Sequence, residues 1–427
     1  MNKLKVSVIV TLILFLIVPT SVLAQSVQPF ELQWSDVYAN CSVGSIVQIQ
    51  DGGFVVVGTN YTAPFAELFL MKINSDGGVE WIKTYPEITG GISKLQVVDS
   101  GYVLSTSVGW LKTDLQGNVQ WSKQFNLHPR TYIPWVFLEE DGSYVMVRSG
   151  YSVGRNYYSF CKYGVDDVLL WDKYIGEANI GAFLRSDSGG GYYIAGSRDQ
   201  KSWFAKLDLE GEFVWSRTYR HKTSGEVSLV FDSVVESLDG GFLLSGYNDV
   251  DSWVVKTDRN GREQWHRKYD RYVILGDDVL YNYDCHVRSV VPTMGGGCLV
   301  FRGMDVVVLG SRGNELWSGS YFEYDGELED LGTVGVYRVS GVSSEDGGLV
   351  LAVAYRTATH PGLFDGPISL WVAGFALDPP IQSDSNNDML LFGVIIAMAV
   401  TVVVVGLGYF WFYLKKNRYQ GALASIL

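Results

Sequence analysis

The chain has little with which to build a metal centre or a concentrated catalytic set. Its four cysteines, Cys41, Cys161, Cys285 and Cys298, show no CxxC spacing and have no histidine set beside them, which argues against metal ligation. The five histidines, His128, His221, His266, His286 and His360, are scattered along the chain. No long helical periodicity is present, so helical fold classes are excluded. Neither a metal nor another cofactor is expected, and no catalytic residue stands out. Basic residues are also in short supply, 33 Lys and Arg against 46 Asp and Glu. All 46 acids lie between two terminal apolar segments, whereas five of the 33 basic residues lie outside them, so the intervening region carries a net charge of −18. Such a surface excludes nucleic acid and anionic lipid as expected partners.

What the chain does have is a repeat. Trp34, Trp81, Trp121, Trp171, Trp215, Trp265 and Trp317 are spaced 47, 40, 50, 44, 50 and 52 residues apart, each inside a similar phrase. The clearest copies run from Asp239-Gly240-Gly241-Phe242 through Lys256 and Gly261 to Trp265, and from Gly190-Gly191-Tyr192 through Lys206 and Gly211 to Trp215. A period of 40 to 50 residues built from short apolar runs and Asp/Gly turns predicts a β-propeller with one four-stranded blade per repeat. The Gly-rich turn ends the first strand, and an apolar residue opens the second: Phe54, Tyr102, Tyr144, Tyr192, Phe242, Cys298 and Leu349. Blades six and seven depart from the aromatic pattern at that position. The third strand carries Lys72, Lys112, Lys162, Lys206 and Lys256, each nine residues before its Trp, with Val308 at that offset before Trp317. Turns such as Asp208 to Gly211 and Asp258 to Gly261 read as structural, with calcium ligation as the alternative. The tryptophans read as packing residues between blades, their indole N–H groups seeking backbone partners.

The seventh copy has no Trp-bearing fourth strand after Leu377. Trp34 to Tyr38 resembles Trp81 to Tyr85 but has no blade of its own. The expected fold is therefore all-β, a seven-bladed β-propeller closed by an N-terminal strand completing blade seven, plus one C-terminal transmembrane helix. Closure of this kind leaves no long exposed sheet edge.

Residues 1–24 carry Lys3 and Lys5, an apolar run from Val6 to Val18 and a small-residue site at Ala24, the pattern of a signal peptide, with an uncleaved anchor as the alternative. Residues 389–414 contain no charge and are long enough to span a bilayer as a helix. Lys415, Lys416 and Arg418 follow at once, so residues 415–427 are expected in the cytoplasm and the propeller, residues 25–378, outside the cell. Residues 379–388 form a stalk of at most about 33 Å. Cys41 and Cys285 share a repeat position in non-adjacent blades, so the permissive compartment does not by itself assign a disulfide. Asn40-Cys41-Ser42 and Asn60-Tyr61-Thr62 are glycosylation sequons.

Propeller topology puts the first-to-second and third-to-fourth turns on one face, and here those turns are uniformly short. The irregular segments, 60–67, 149–157, 271–284, 321–331 and 356–367, belong to the other face. They carry Tyr61, Phe65, Tyr157, Tyr281, Tyr283, Tyr321, Tyr324, Asp325, Glu327 and Phe364, the candidate ligand-binding residues, since variable loops on a rigid frame are where scaffolds bind. The alternative is that these loops are tolerated insertions. The short stalk leaves from the short-turn face, which turns the variable face away from the membrane.

On the repeated Asp-Gly-Gly-aromatic, Lys-x-Asp and Gly-x-x-x-Trp elements, residues 31–378 resemble secreted or membrane-anchored prokaryotic propellers. They are more distantly similar to the tryptophan-docking repeats of quinoprotein dehydrogenases and outer-membrane assembly propellers. Those repeats space Asp and Gly one residue further apart, and the adjacent Cys-Cys pair of some quinoproteins is missing here. A sialidase-type Asp box is not matched. Two function classes follow. One is a non-catalytic surface module that binds a protein or glycan, or scaffolds an envelope complex. The other is an extracellular glycan hydrolase, lyase or redox enzyme with its site at the channel mouth. Glu139, Glu140 and Asp141, or Asp277 and Asp278, are acids such an enzyme would use, with solvated turn residues as the alternative. His221, His286 or His360 beside a carboxylate in the channel mouth would favour the enzyme.

Overall fold

The computed structural model describes residues 30–377 apart from 63–65, 89–91, 107–108, 125–130, 153–154, 187–189, 221–229, 249–250, 271, 276–277, 282–285, 304, 321–333, 345–346 and 358–366. The chain divides into two compact units, Met1–Gln382 and Ser383–Leu427, and every described residue lies in the first. The expected signal peptide, stalk, membrane helix and tail fall outside the described residues. Among those described, no helix is long and apolar enough to cross a membrane.

The described residues form a seven-bladed β-propeller of four-stranded antiparallel sheets. Blade one runs Cys41–Gln48, Phe54–Asn60, Glu67–Ile73 and Val79–Tyr85 in both chain and spatial order. In the seventh sheet the spatial order is Phe30–Ala39, Ile368–Leu377, Leu349–Thr357 and Val334–Ser343, with Trp34 opposite Gly374 and Tyr38 opposite Leu370.

Burial follows from this stacking. Second and third strands, such as Phe54–Asn60 and Glu67–Ile73, are covered on both faces by neighbouring blades and read as apolar runs. Fourth strands such as Phe213–Tyr219 alternate between exposed and partly buried residues. Apolar side chains gather at the junctions between blades. Val43, Phe69 and Ile73 of blade one meet Val350, Leu370 and Val372 of blade seven, and Val145 and Phe160 of blade three meet Phe183 and Tyr192 of blade four. First strands of neighbouring blades lie against one another. Ser340 Oγ accepts the Ile46 N–H at 3.2 Å, Gln96 bonds the Leu138 backbone twice, and Ser186 donates to Glu236 at 2.8 Å. The first strands therefore line the ring axis.

The repeated letters have identifiable partners. The turn aspartate Asp51 accepts the Gly53 N–H at 3.0 Å and the Lys72 ammonium at 2.6 Å. Asp239 does the same with Gly241 and Lys256, at 3.0 and 2.6 Å. The Lys72 ammonium holds the Asp51 carboxyl below its ordinary value. In blade six, Gly295 and Val308 occupy the two positions, so acid and base are absent together. In the third-to-fourth turns the lead side chain caps its own loop. Asp114 accepts the N–H groups of Gln116 and Asn118, and Asp258 those of Asn260 and Arg262.

The glycine of that turn lies on the tryptophan of the preceding blade. Gly77, Gly117, Gly211, Gly261 and Gly313 all have φ between 69° and 86°. A Cβ on them would sit 2.4 to 2.9 Å from Trp34, Trp81, Trp171, Trp215 and Trp265 respectively. Trp265 Nε1–H donates to the Ser311 carbonyl at 2.7 Å. Tyr85 and Tyr219 donate to the carbonyls of Gly117 and Gly261. Blade three is the exception, with Asp167 at φ 63° bound to Lys123 of blade two.

Two segments read from sequence as irregular are regular instead. Residues 149–157 continue a hairpin in which Ser149 faces Tyr158 and Ser152 faces Arg155. Within 271–284, Tyr272–Leu275 pairs with Asp278–Tyr281 as a separate two-stranded hairpin. Both are rich in β-branched or aromatic residues that suit strand pairing.

Two outcomes follow. Gly240 has φ 77° and nothing within 4 Å of a Cβ, so Gly240→Ala should cost about 1 kcal/mol. Gly261→Ala should cost about 2–4 kcal/mol, because it adds collision with Trp215 to the same strain; equal urea midpoints for the two variants would refute the packing role. Lys256 is 1% exposed, so Asp239→Ala should cost about 3 kcal/mol by leaving a buried charge unpaired. The double variant Asp239→Ala/Lys256→Met should recover most of that loss in the same assay.

Candidate functional site: the channel mouth

Each first strand carries an irregularity that sequence reasoning missed. Pairing with the second strand slips between Val43 and Ser45, Ile92 and Lys94, Tyr132 and Trp135, Ile180 and Ala182, Phe231 and Ser233, Val287 and Ser289, and Val336 and Arg338. A bulge leaves one residue without a ladder partner and re-aims its side chain. Blades one and four use Gly44 and Gly181 there, and blade two uses Ser93. Blades five and six instead place Asp232 and Arg288 at the bulge, and blade seven places Tyr337, followed by Arg338. A signal did exist: Gly44, Pro134, Asp232 and Arg288 each stand ten residues before the residue opening the second strand.

These bulges assemble a cavity of about 320 Å³ at the loop-face end of the first strands, lined by Asp232, Tyr247, His286, Val287, Arg288 and Arg338. Tyr247 closes the second strand of blade five and meets the His286 ring edge-to-face at 4.7 Å and 75°, which orients both rings. Asp232 is hemmed in by blades yet exposed along the channel. Loss of hydration raises its carboxyl to about 7, against the opposing pull of its own backbone N–H, Ser245 and Arg288. Ser245 Oγ lies 3.4 Å from Asp232 Oδ1. The Arg338 guanidinium is exposed in the mouth; loss of hydration lowers its pKa, partly offset by Tyr61.

Of the residues singled out from sequence, His286 lines this cavity, and Tyr61, outside the lining, comes within electrostatic reach of Arg338. Its N–H donates to the Asn40 carbonyl at 2.7 Å, which sets the two sequons side by side. Asn60 accepts the Thr62 N–H at 2.8 Å. Tyr157 is half-buried in blade three, against Gly150, and is not among the cavity residues. Tyr281 lies in the extra hairpin. Phe65, Tyr283, Tyr321, Tyr324, Asp325, Glu327 and Phe364 fall outside the described residues, as do His221, His360 and Cys285. Glu139 is drawn between blades by Arg185 and Tyr192, and Asp141 caps its own turn through Ser143. Cys161 and Cys298 are buried thiols in different blades, and burial pushes each up to about 12.

A larger cavity, about 660 Å³, opens on the short-turn face where blade seven meets blade one. Its walls include Trp34, Phe54, Leu349 and Phe375, and Asp76 is the one ionisable residue among them. Its chemistry is that of a packing seam, so the smaller, charged cavity is the candidate site.

No family model and no curated protein matches the sequence. Among solved structures, the chain is similar to a protein of unknown function from Bacteroides caccae, with TM-score 0.38 and 14% identity over 64% of this chain and 96% of that one. It is also similar to the Neurospora crassa Pan2 WD40 domain, with TM-score 0.47 and 11% identity over 79% and 95% of the two chains. The AfRom2 CNH domain gives TM-score 0.48 and 10% identity over 81% and 98%. At these identities the likeness is one of fold alone.

The raised Asp232 carboxyl has a signed consequence. Between its ordinary value of 3.8 and about 7, the folded state holds a proton that the unfolded state releases, so this group's contribution falls as pH rises through that window. Asp232→Asn should therefore raise the melting temperature at pH 8 and leave it unchanged near pH 3. Equal shifts at both pH values would show that the carboxyl is not raised.

Proposed function

We propose that the protein is a non-catalytic recognition module of the cell surface, binding a protein or glycan ligand at the channel mouth on its loop face. The observation that carries this reading is the cavity to which three consecutive blades contribute charged side chains, Asp232 and Arg288 at the bulges of blades five and six and Arg338 directly after that of blade seven. A rigid ring bearing charged and aromatic groups at one mouth is a binding geometry. Cell-surface placement draws on the uncharged segment 389–414, the basic residues behind it and the leader-like residues 1–24. On this reading the strand Phe30–Ala39 clasps the ring shut and the loop face looks away from the membrane. The membrane and an extracellular ligand are the partners.

The enzyme reading has one observation in its favour: His286 and the carboxylate of Asp232 line the same cavity. Glycoside hydrolysis by the usual route needs a second carboxylate about 5–10 Å away. Among the described cavity residues Asp232 is the one carboxylate, so binding is the better-supported reading.

The test is capture of envelope proteins and glycans by the full-length protein in neutral detergent, beside Tyr247→Ala/His286→Ala and a variant with Tyr281, Tyr283, Tyr321 and Tyr324 changed to Ala. Capture should weaken at least about tenfold in the cavity variant, the scale of a lost anchor residue. Loss confined to the outer-loop variant would move the site to the loops, and turnover of a captured glycan would establish the enzyme instead. Protease added to intact cells should digest the propeller and spare residues 415–427; the reverse pattern would overturn the orientation.

A further inference from the structure

We propose that the channel mouth recognises the carboxylate of an acidic sugar residue, held by Arg288 and Arg338, with Tyr247 and Tyr61 flanking the sugar ring. This rests on the channel mouth being the docking site and adds the chemical class of what docks there. The two guanidiniums come from consecutive blades, one at the bulge and one directly after it. Guanidinium forks match a planar carboxylate in a way that a point charge does not. Among the described residues, Arg338 has no hydrogen-bonded or ion-paired partner, and its electrostatic neighbour is the phenol of Tyr61. Tyr247 is held in orientation by His286, and aromatic faces next to polar groups suit the mixed apolar and hydroxyl surface of a sugar.

Charge selects the size of the anion. The region between the apolar segments carries −18, so an extended polyanion is repelled before it reaches the mouth. A single carboxylate on an otherwise neutral ring is repelled far less and can reach the two guanidiniums, with Asp232 as the one carboxylate among the cavity residues. The cavity, about 320 Å³, lies at the small end of ligand pockets, which favours one residue over a long chain.

Asp232 then acts as a gate on affinity. Facing it are Ser245 and Tyr247 from blade five, His286 and Arg288 from blade six, Arg338 from blade seven, and the backbone at Gly181 from blade four. Ionised, it competes for the guanidiniums and repels a carboxylate; protonated, it donates a hydrogen bond to the ligand.

The experiment is calorimetric titration of the full-length protein in neutral detergent with methyl glucuronoside, methyl glucoside and acetate at pH 6 and pH 8. Methyl glucuronoside should bind at least about tenfold more tightly than either comparator, the scale of a charged hydrogen bond. Its affinity should fall about tenfold from pH 6 to pH 8, in proportion to the protonated fraction of Asp232. Arg338→Gln should abolish the preference without lowering the melting temperature, and Arg338→Lys should restore part of it. Equal binding of glucuronoside and glucoside, acetate as tight as the glucuronoside, or a stable Arg338→Gln with unchanged preference each overturns the proposal. If envelope capture fails in Tyr247→Ala/His286→Ala while methyl glucuronoside is ignored, the ligand class falls and the docking site stands. If capture is indifferent to both, the two readings fall together.

Discussion

The fold depends on an indole lying against a turn that has no Cβ. The tryptophan near the end of one blade packs on the left-handed glycine in the next blade's third-to-fourth turn, as Trp81 does on Gly117 and Trp215 on Gly261. An added methyl would occupy the ring's own position, so the residue must be glycine for two independent reasons, conformation and contact. Tyrosines four residues beyond the tryptophan reinforce the joint by donating to the same glycine's carbonyl. Trp34 stands to Gly77 as Trp81 stands to Gly117, so the strand Phe30–Ala39 makes the same contact with the next turn.

A second constraint stiffens blades one and five internally. The turn aspartate and the third-strand lysine meet across the hairpin, and where the acid becomes Gly295 the base becomes Val308. Half of such a pair would leave a charge without its partner, which costs more than having neither. The departure of blade six from the repeat is thus internally consistent rather than a decay of the pattern. It is also one of the blades that carry charge at the channel bulge.

The two faces of the ring obey different rules. On one, most of the described turns repeat the same capping and packing contacts, with blades three and six as exceptions. On the other, the bulge position is filled by glycine, serine, aspartate, arginine or tyrosine, because a bulged residue has no ladder partner to satisfy. Specific chemistry gathers there without disturbing the joints between blades.

The seven tryptophans, the Asp-Gly-Gly turns and the lysine offset made the propeller legible from sequence, because each of those letters answers to a local contact that recurs in each blade. The residues of the channel mouth were not legible. Asp232, Arg288 and Arg338 are 50 to 106 residues apart, match no motif, and stand in strands whose pattern otherwise reads as ordinary. Tyr61 was singled out for being an aromatic in a loop, and only the packing of blade one against blade seven brings it within electrostatic reach of Arg338. Residues 149–157 were read as an irregular loop-face segment, whereas pairing through Ser152 and Arg155 extends the hairpin. By itself the sequence determined the number of blades and their turns, since these depend on short-range periodicity and glycine conformation. The tertiary structure alone decided which side chains share a cavity, since the ring brings together residues that no local rule connects.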